Sequence, residues 1–285
     1  MPEGHTLRRL ADALTERFGG LSVAVTSPQG RFTDSAAVLH RTLLIGAESW
    51  GKHLFVAFEG DRSVHVHLGL YGSFEITDGP APAPVGQVRM RFESGGERPS
   101  YADLRGATAC DLFTDAQRRA VLDRLGPDPL RPDADWTHAW ERVRRSKAPI
   151  GALLMDQTVL AGVGNVYRAE VLFRHRLHPL RPGNTVRRGT FEALWRDLVD
   201  LMTEGVRTGR IDTVRREHEP DEMGRPPRRD DHGGEVYVYR RTGQDCHVCG
   251  SRVRTDVLLG RNLFWCPRCQ PRFRSRAAAK PVPLG

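Results

Sequence analysis

The chain opens on a helical stripe. Leu7, Leu10, Ala11, Leu14 and Phe18 recur at the spacing of one helix face, and Gly19-Gly20 ends the run. The period then changes. From residue 22 to 113 apolar positions alternate, or gather in short β-branched and aromatic runs, at 22–26, 53–58, 63–68, 72–76, 88–92 and 108–112. Residues 34–39 read as a short helix, and 78–86, with three prolines, as a surface loop. The pattern predicts a β-sandwich or barrel-like domain with a helix at its N-terminus.

The second half returns to helical spacing. Thr114 and Gln117 form a capping-box signal for a helix running to about residue 125. Gly126-Pro-Asp-Pro129 stops it, and helices are expected over 136–145, 150–157, 166–176 and 190–205. Residues 212–235, rich in Arg, Asp, Glu, Pro and Gly, read as an exposed loop or a partly disordered segment, and 236–241 lead into a cysteine cluster. The expectation is an α+β multidomain chain. Its parts are an N-terminal domain at 1–125, a helical part with the charged loop at 126–235, a cysteine-bearing finger at 236–275 and a tail at 276–285.

Charge adds a partner to this picture. The 285 residues carry a formal net charge of +8, which suits a polyanion, with nucleic acid the usual one. Lysine is confined to Lys52, Lys147 and Lys280, so 40 of the 43 basic residues are arginine, a side chain that forks onto phosphates. No run of 18 apolar residues and no basic-then-apolar leader occurs, so neither a membrane span nor a signal peptide is expected. Four of five cysteines are clustered, which is metal-site arithmetic in a reducing compartment.

Those four read Cys246-x2-Cys249-x16-Cys266-x2-Cys269. Two such pairs suit a tetrahedral thiolate zinc site, and four protein ligands leave the metal no open position, so one structural Zn2+ is expected. Segments 252–259 and 262–265 between the pairs read as a β-hairpin whose turn, Leu259-Gly-Arg-Asn262, carries Arg261 at its tip. Met155 to Asn165 reads as a helix, a break at Gly162-Val-Gly164, and a new helix with Asn165 as N-cap, an end that offers free N–H groups to a phosphate. Trp50-Gly-Lys-His53 sets Lys52 before a strand, as a plain surface lysine, a phosphate contact or an acid. In His67-Leu-Gly-Leu-Tyr-Gly72 the glycines make a turn. Its Leu70 and Tyr71 either pack in a core or stand out to fill the void left by an extruded base. His65 and His67 share a strand face, where ordinary packing and hydrogen bonding are expected.

The first residues are the most economical candidate. Met1 precedes a small residue and is easily trimmed, which would leave Pro2 a free secondary amine. An α-amino group has a pKa of roughly 8, so a neutral fraction can attack a carbonyl-like carbon and form a Schiff base. Glu3 stands beside it as acid or base. A helix N-terminus there favours the neutral amine and an ionised Glu3. Many chains begin Met-Pro without any such role, and on these residues alone both readings stand.

Taken together these motifs resemble one family, the Fpg/Nei DNA glycosylases (formamidopyrimidine-DNA glycosylase and endonuclease VIII). The resemblance spans most of the chain: Pro2-Glu3-Gly4, Gly51-Lys52, Gly162-Val-Gly-Asn165-Val-Tyr167, and the four-cysteine finger with Arg261 before Phe264-Trp265-Cys266. It implies an N-terminal β-sandwich, a helix–two-turns–helix domain and a zinc-finger hairpin. It also implies that Pro2 attacks C1′ of a damaged nucleotide, Glu3 assists ring opening, and β- then δ-elimination cuts the strand. By the same resemblance Lys52 donates a proton or contacts phosphate, Arg261 grips phosphates around the flipped nucleotide and takes a catalytic part in δ-elimination, and Asn165 holds a phosphate. Arg124 and Lys147 are further DNA-contact candidates. The partner implied is damaged DNA, with no membrane, no small-molecule cofactor, a monomeric protein and a cytoplasmic, nucleoid-associated location.

One departure bears on the branch. Fpg proteins carry an arginine and a phenylalanine that probe the orphaned base. Here Ala102-Asp103-Leu104-Arg105-Gly106-Ala107 offers Arg105 without the phenylalanine. The Leu70-Tyr71-Gly72 turn looks like the void-filling loop of endonuclease VIII, and the Pro-Glu-Gly-His-Thr start with Trp50 to Phe55 looks like an actinobacterial Nei-type subgroup. The expected substrates are therefore oxidised pyrimidines. The alternatives are an 8-oxoguanine and formamidopyrimidine glycosylase of the Fpg type, or a non-catalytic zinc-finger DNA-binding protein on the same scaffold.

Overall fold

The computed structural model describes residues 2–229 and 234–273. Met1, residues 230–233 of the charged loop and the 276–285 tail lie outside the described residues. The chain divides into two compact units. The first comprises Met1–Ala134, Leu160–Val163 and Met202–Arg210, and the second Asp135–Val159, Gly164–Leu201 and Ile211–Gly285.

Unit 1 begins with α1 (Gly4–Phe18), whose apolar stripe is buried at Leu7, Ala11, Leu14 and Phe18. It continues through β1 (Leu21–Thr26), α2 (Thr33–Leu39), β2 (Thr42–Trp50), β3 (His53–Phe58), β4 (Arg62–His67) and β5 (Ser73–Asp78). Then come β6 (Val88–Ser94), β7 (Ser100–Arg105), β8 (Ala109–Thr114) and α3 (Asp115–Leu122). The strands run antiparallel in the order β5-β7-β6-β1-β2-β3-β4-β8. The first half of β1 pairs with β2 and its second half with β6, so one strand serves both layers of a sandwich. The core lies between the layers and under α1. Phe92 sits in its middle, with Phe18, Phe58 and Phe74 ring centroids at 6.2, 5.8 and 5.6 Å.

Two strands escape the sequence pattern, for physical reasons. In β2 the register shifts between Leu44 and Gly46, a bulge that breaks alternation and leaves Ile45 exposed. In β7 a charged residue is buried on the face opposite Ala102 and Leu104, whose side chains lie in the core. The Asp103 carboxylate accepts from Arg91 Nε at 2.6 Å and Nη2 at 2.8 Å, with the two side chains 4% and 3% exposed. A strand that buries a bidentate ion pair on its second face, beneath the loop whose Pro82 O accepts from Arg91 Nη1 at 2.6 Å, reads as polar on the page.

Unit 2 holds α4 (Trp136–Val143), α5 (Ile150–Leu153), α6 (Asn165–Arg174), most of α7 (Arg188–Thr208), α8 (Pro220–Met223) and the hairpin β9 (Arg254–Leu258) and β10 (Arg261–Trp265). The helix expected over 150–157 stops at Leu153. Beyond it, Asp156 Oδ1 accepts from Thr158 N at 2.9 Å and Thr158 Oγ1 at 2.8 Å, a local turn that competes with the helix. Asn165 is the first helical residue, with Gly164 at the cap position, so the N-cap expectation is corrected by one residue. The charged segment carries a 3-10 turn at Arg216–His218 followed by α8, which ends at Gly224 with φ 60°. Among the described residues no helix is long and apolar enough to cross a membrane.

Candidate active site

Three separate motifs meet in unit 1 through glycines. Glu3 holds the cap position of α1 in extended backbone, is fully buried, and makes no side-chain cap bond. Pro2, half-buried, precedes it. Gly4 N donates to Gly162 O at 2.9 Å. A Cβ at Gly4 would stand 2.9 Å from Gly162 Cα and 2.8 Å from Met202 Cε. Trp50 pairs with His53, so Gly51 and Lys52 form the two-residue turn between β2 and β3. Gly51 takes φ 58°, and a Cβ there would lie 2.9 Å from both Ala161 Cβ and Gly162 N. Only residues without a Cβ let these backbones touch. The N-terminal pair Pro2-Glu3, the Lys52 turn and the Gly162 turn are thereby locked into one junction.

Sequence reasoning missed the residue that fastens this junction. Asp128, in the segment read merely as a helix stop, is buried and accepts from Gly51 N at 2.7 Å and Leu130 N at 2.9 Å. Burial pushes its carboxyl up, against the two backbone N–H groups. Ala161 N donates to Pro127 O at 3.0 Å beside it. The available signal was an acid between two prolines, Pro127-Asp-Pro129, which cannot itself continue a helix.

The turn after β4 presents Leu70 and Tyr71 outward. Tyr71 is 91% exposed and Leu70 40%, so neither packs in the core. The turn beneath them is braced. Gly72 N donates to Leu68 O at 3.0 Å, Thr108 N to His67 O at 2.9 Å, and Gly69 N to His67 Nδ1 at 3.2 Å. His65 and His67 make hydrogen bonds, as expected, and His53 joins them, its Nδ1 lying 2.9 Å from His65 Nε2. Burial, and then the neighbouring histidines, lower His53 to about 3. Arg105 Nη2 donates to Asp103 at 2.8 Å, an engagement the sequence did not suggest, and Arg124 is exposed just beyond α3.

The remaining candidates fall in unit 2. Lys147 is exposed ahead of α5. Asn165 is buried, and its Oδ1 accepts from Arg168. Arg168, also buried, donates from Nη2 to Asn262 O at 2.8 Å and from Nη1 to Gly151 O at 3.4 Å. It joins the start of α6 to the strand that carries Arg261. Arg261 stands opposite Leu258 as the first paired residue of β10, so the tip itself is Leu259-Gly260, which corrects the expected turn. Glu170, fully buried, accepts from Tyr237 N at 2.7 Å, Val238 N at 2.9 Å, Tyr239 N at 2.8 Å and Thr213 Oγ1 at 2.6 Å. This holds the lead-in to the finger against α6.

Cys246, Cys249, Cys266 and Cys269 converge, with all four Sγ atoms within 4.8 Å of one another. Cys249 and Cys266 Sγ are 3.4 Å apart, and Cys246 and Cys269 Sγ 3.9 Å. Zinc with Zn–S bonds of about 2.3 Å needs sulfur–sulfur separations of roughly 3.8 Å, so the set fits a tetrahedral ion. Gln270 ties the site inward, accepting from Cys266 N at 3.0 Å and donating to Leu177 O at 2.8 Å.

Three family models match the chain. They are the formamidopyrimidine-DNA glycosylase N-terminal domain over residues 1–110, the formamidopyrimidine-DNA glycosylase H2TH domain over 125–216, and the zinc finger found in FPG and IleRS over 243–272. The chain is 54% identical over 277 residues to Endonuclease 8 1 of Mycobacterium tuberculosis, covering 95% of this chain and 100% of that protein. It is 31% identical over 282 residues to formamidopyrimidine-DNA glycosylase of Parasynechococcus marenigrum, covering 95% and 99%. The fold matches Lactococcus lactis Fpg in complex with abasic-site DNA, with a TM-score of 0.76 at 22% identity over 95% of this chain and 100% of that one.

Proposed function

Because this chain belongs to the Fpg/endonuclease VIII family of DNA glycosylases and AP lyases, and is a base-excision-repair glycosylase with one structural zinc, we propose that Pro2 is its nucleophile. After removal of Met1, the Pro2 nitrogen attacks C1′ of the damaged nucleotide and the C1′–base bond breaks, the base leaving with a proton. The Glu3 carboxylate accepts the proton that the Pro2 nitrogen sheds once bonded to C1′ and delivers it to O4′ as the sugar ring opens, giving an iminium, while the departing base takes its proton from water. That cation acidifies C2′–H. Loss of this proton expels the 3′ phosphate, and a second elimination expels the 5′ phosphate. Lys52 supplies a proton or a phosphate contact during elimination. Arg261 and Asn165 hold phosphates flanking the extruded nucleotide, with Arg124 and Lys147 as outlying contacts. Leu70 and Tyr71 occupy the space it vacates.

The observation that carries this reading is the glycine junction. It seats Pro2-Glu3 against the turns bearing Lys52 and Gly162, with Gly4 N on Gly162 O at 2.9 Å. Near-contact of backbones is a stiff way to hold reacting groups, which proximity catalysis requires. For the substrate, oxidised pyrimidines are favoured. Arg105 is already bound to Asp103, and no phenylalanine follows it. Tyr71, in contrast, is presented to solvent.

Borohydride reduction tests the chemistry directly, using duplexes that carry an abasic site, an oxidised pyrimidine or 8-oxoguanine. Protein whose intact mass shows Met1 removed should give a covalent adduct on the first two, and a preparation retaining Met1 should give none. An adduct of equal yield with Met1 retained would remove Pro2 from the mechanism. No adduct from processed protein would favour a non-catalytic DNA-binding role. A preference for 8-oxoguanine would move the substrate to the Fpg type.

A further inference from the structure

The finger hairpin ends in a residue that the free protein has no reason to keep. Strand β9 closes at Leu258 and β10 opens at Arg261, leaving a two-residue loop, Leu259-Gly260. Both loop residues have positive φ, 50° and 70°. Those signs belong to the type I′ hairpin turn, whose first position is ordinarily Asn, Asp or Gly. A leucine there is strained, since its Cβ crowds the following carbonyl. Its side chain is also 82% exposed, so no packing offsets the strain. Val257, two residues earlier, is 63% exposed. Beside this apolar tip the two strands carry Arg254 and Arg261 against one acid, Asp256. Strain combined with exposure in one side chain points to a contact made only with a ligand.

We propose that Leu259 is a DNA-contacting residue. It would lay its side chain against the sugar and base edges of a groove beside the nucleotide whose phosphates Arg261 holds, and so set the depth at which the hairpin seats. The occupant is duplex DNA, because the tip is continuous with Arg261 and the arginines of its strands, which outnumber the one acid, suit a polyanion. This rests on the DNA-gripping role assigned to Arg261, but not on the Schiff-base step.

The probe is a duplex carrying a tetrahydrofuran abasic-site analogue, which offers Pro2 no electrophile, so binding is read apart from chemistry. Leu259→Asn supplies the residue the turn prefers. It should raise the melting temperature of the zinc-loaded protein and yet weaken binding roughly tenfold, the scale of exposing one leucine. The salt dependence of binding should stay as in the wild type, because no phosphate contact is lost. Arg261→Ala should flatten it by about one ion. Leu259→Gly, a second variant compatible with the turn, should behave like Leu259→Asn. Unchanged or tighter binding by Leu259→Asn overturns the proposal. So does weaker binding accompanied by a lower melting temperature or zinc loss. A wild-type protein that sediments as a dimer and becomes monomeric on Leu259→Asn would assign the tip to self-association instead. If the Schiff-base reading alone is wrong, borohydride trapping fails while these binding differences persist.

Discussion

Two regions hold functional groups in place by opposite means. In unit 1 the Pro2-Glu3, Lys52 and Gly162 elements are joined by the absence of side chains, because Gly4, Gly51 and Gly162 let backbone lie on backbone. In unit 2 the start of α6, the finger lead-in and the strand bearing Arg261 are joined by the presence of long charged ones. Arg168 reaches Asn165, Gly151 and Asn262, and Glu170 gathers three backbone N–H groups and a hydroxyl. A glycine junction is short and tolerates nothing larger. A buried charge spans greater distance and tolerates no loss of its partners. The first arrangement suits groups that must meet within a bond length, and the second suits segments that must keep a fixed spacing.

The largest effect is expected where the charge-based arrangement is broken. Glu170→Gln leaves a single carboxamide oxygen for four donors and turns an N–H2 group toward backbone N–H. The loss should be about 3–5 kcal/mol of unfolding free energy. Denaturant unfolding followed by tryptophan fluorescence measures it, since Trp140, Trp195 and Trp265 are buried in unit 2. A loss below about 1 kcal/mol, within the ordinary range of surface changes, would mean that Glu170 is not what holds the lead-in to α6.

Acid separates the two regions next. In unit 1, burial first and then neighbouring positive groups lower His5 to about 4 and His53 to about 3. His65 also falls to about 4 through burial, against the pull of Asp111. Each folded-state value lies below the unfolded 6.5, so the unfolded chain binds more protons, and stability falls as pH drops from about 6.5 toward 3. The loss should be on the order of a few kcal/mol, less than three independent histidines would give, because His53 and His65 titrate against each other. In unit 2, burial pushes Asp197 up, but hydrogen bonds from His175 and Arg174 outweigh it and hold it at about 2. That contribution is complete above the unfolded 3.8 and is lost only as pH falls toward 2. Unit 2 also holds histidines that burial lowers, His178 and, to about 4, His247, so the contrast is local: proteolysis at graded pH should cut the strands at 53–67 before the helices that Asp197 joins. Earlier cleavage within 165–201 than within 53–67 would reverse the order and break the contrast.

The difference between the regions also explains what could be read from the chain. The helix stripe, the sandwich and the cysteine spacing were legible because each rests on a local period or a rare residue. The motifs Gly4, Gly51 and Gly162 were visible as glycines, but their partnership depends on contacts far apart in sequence. Arg168 and Glu170 were invisible, because within Asn165-Val-Tyr-Arg-Ala-Glu170 they look like the wet side of a helix, and only the fold shows both buried. Arg91 and Asp103 hid strand β7 for the same reason. Asp128 reads as punctuation because its hydrogen-bond partner, Gly51 N, lies 77 residues away.

The smallest change in stability should fall on the junction itself, with a disproportionate change in rate. Gly51→Ala places a methyl group 2.9 Å from Ala161 Cβ and Gly162 N, at a φ of 58°. Gly20→Ala shares the positive φ, 78°, and meets nothing within 4 Å. Both substitutions incur backbone strain of about 1 kcal/mol, so comparing them isolates crowding. Gly51→Ala should cost about 1–2 kcal/mol more than Gly20→Ala, as overpacking does. Its strand-cleavage rate at saturating abasic-site DNA should fall up to about 100-fold, because the methyl group pushes the Lys52 turn away from the N-terminal pair by a fraction of an ångström to an ångström. Gly20→Ala should cleave like the wild type. If the two variants cleave at equal rates, the junction is merely packing, and the positioning of Pro2 and Lys52 has to come from elsewhere in unit 1. If Gly51→Ala alone is slow while Gly51→Ala and Gly162→Ala combined are no slower than either single variant, the two glycines act as one contact. Such non-additivity is what touching residues show.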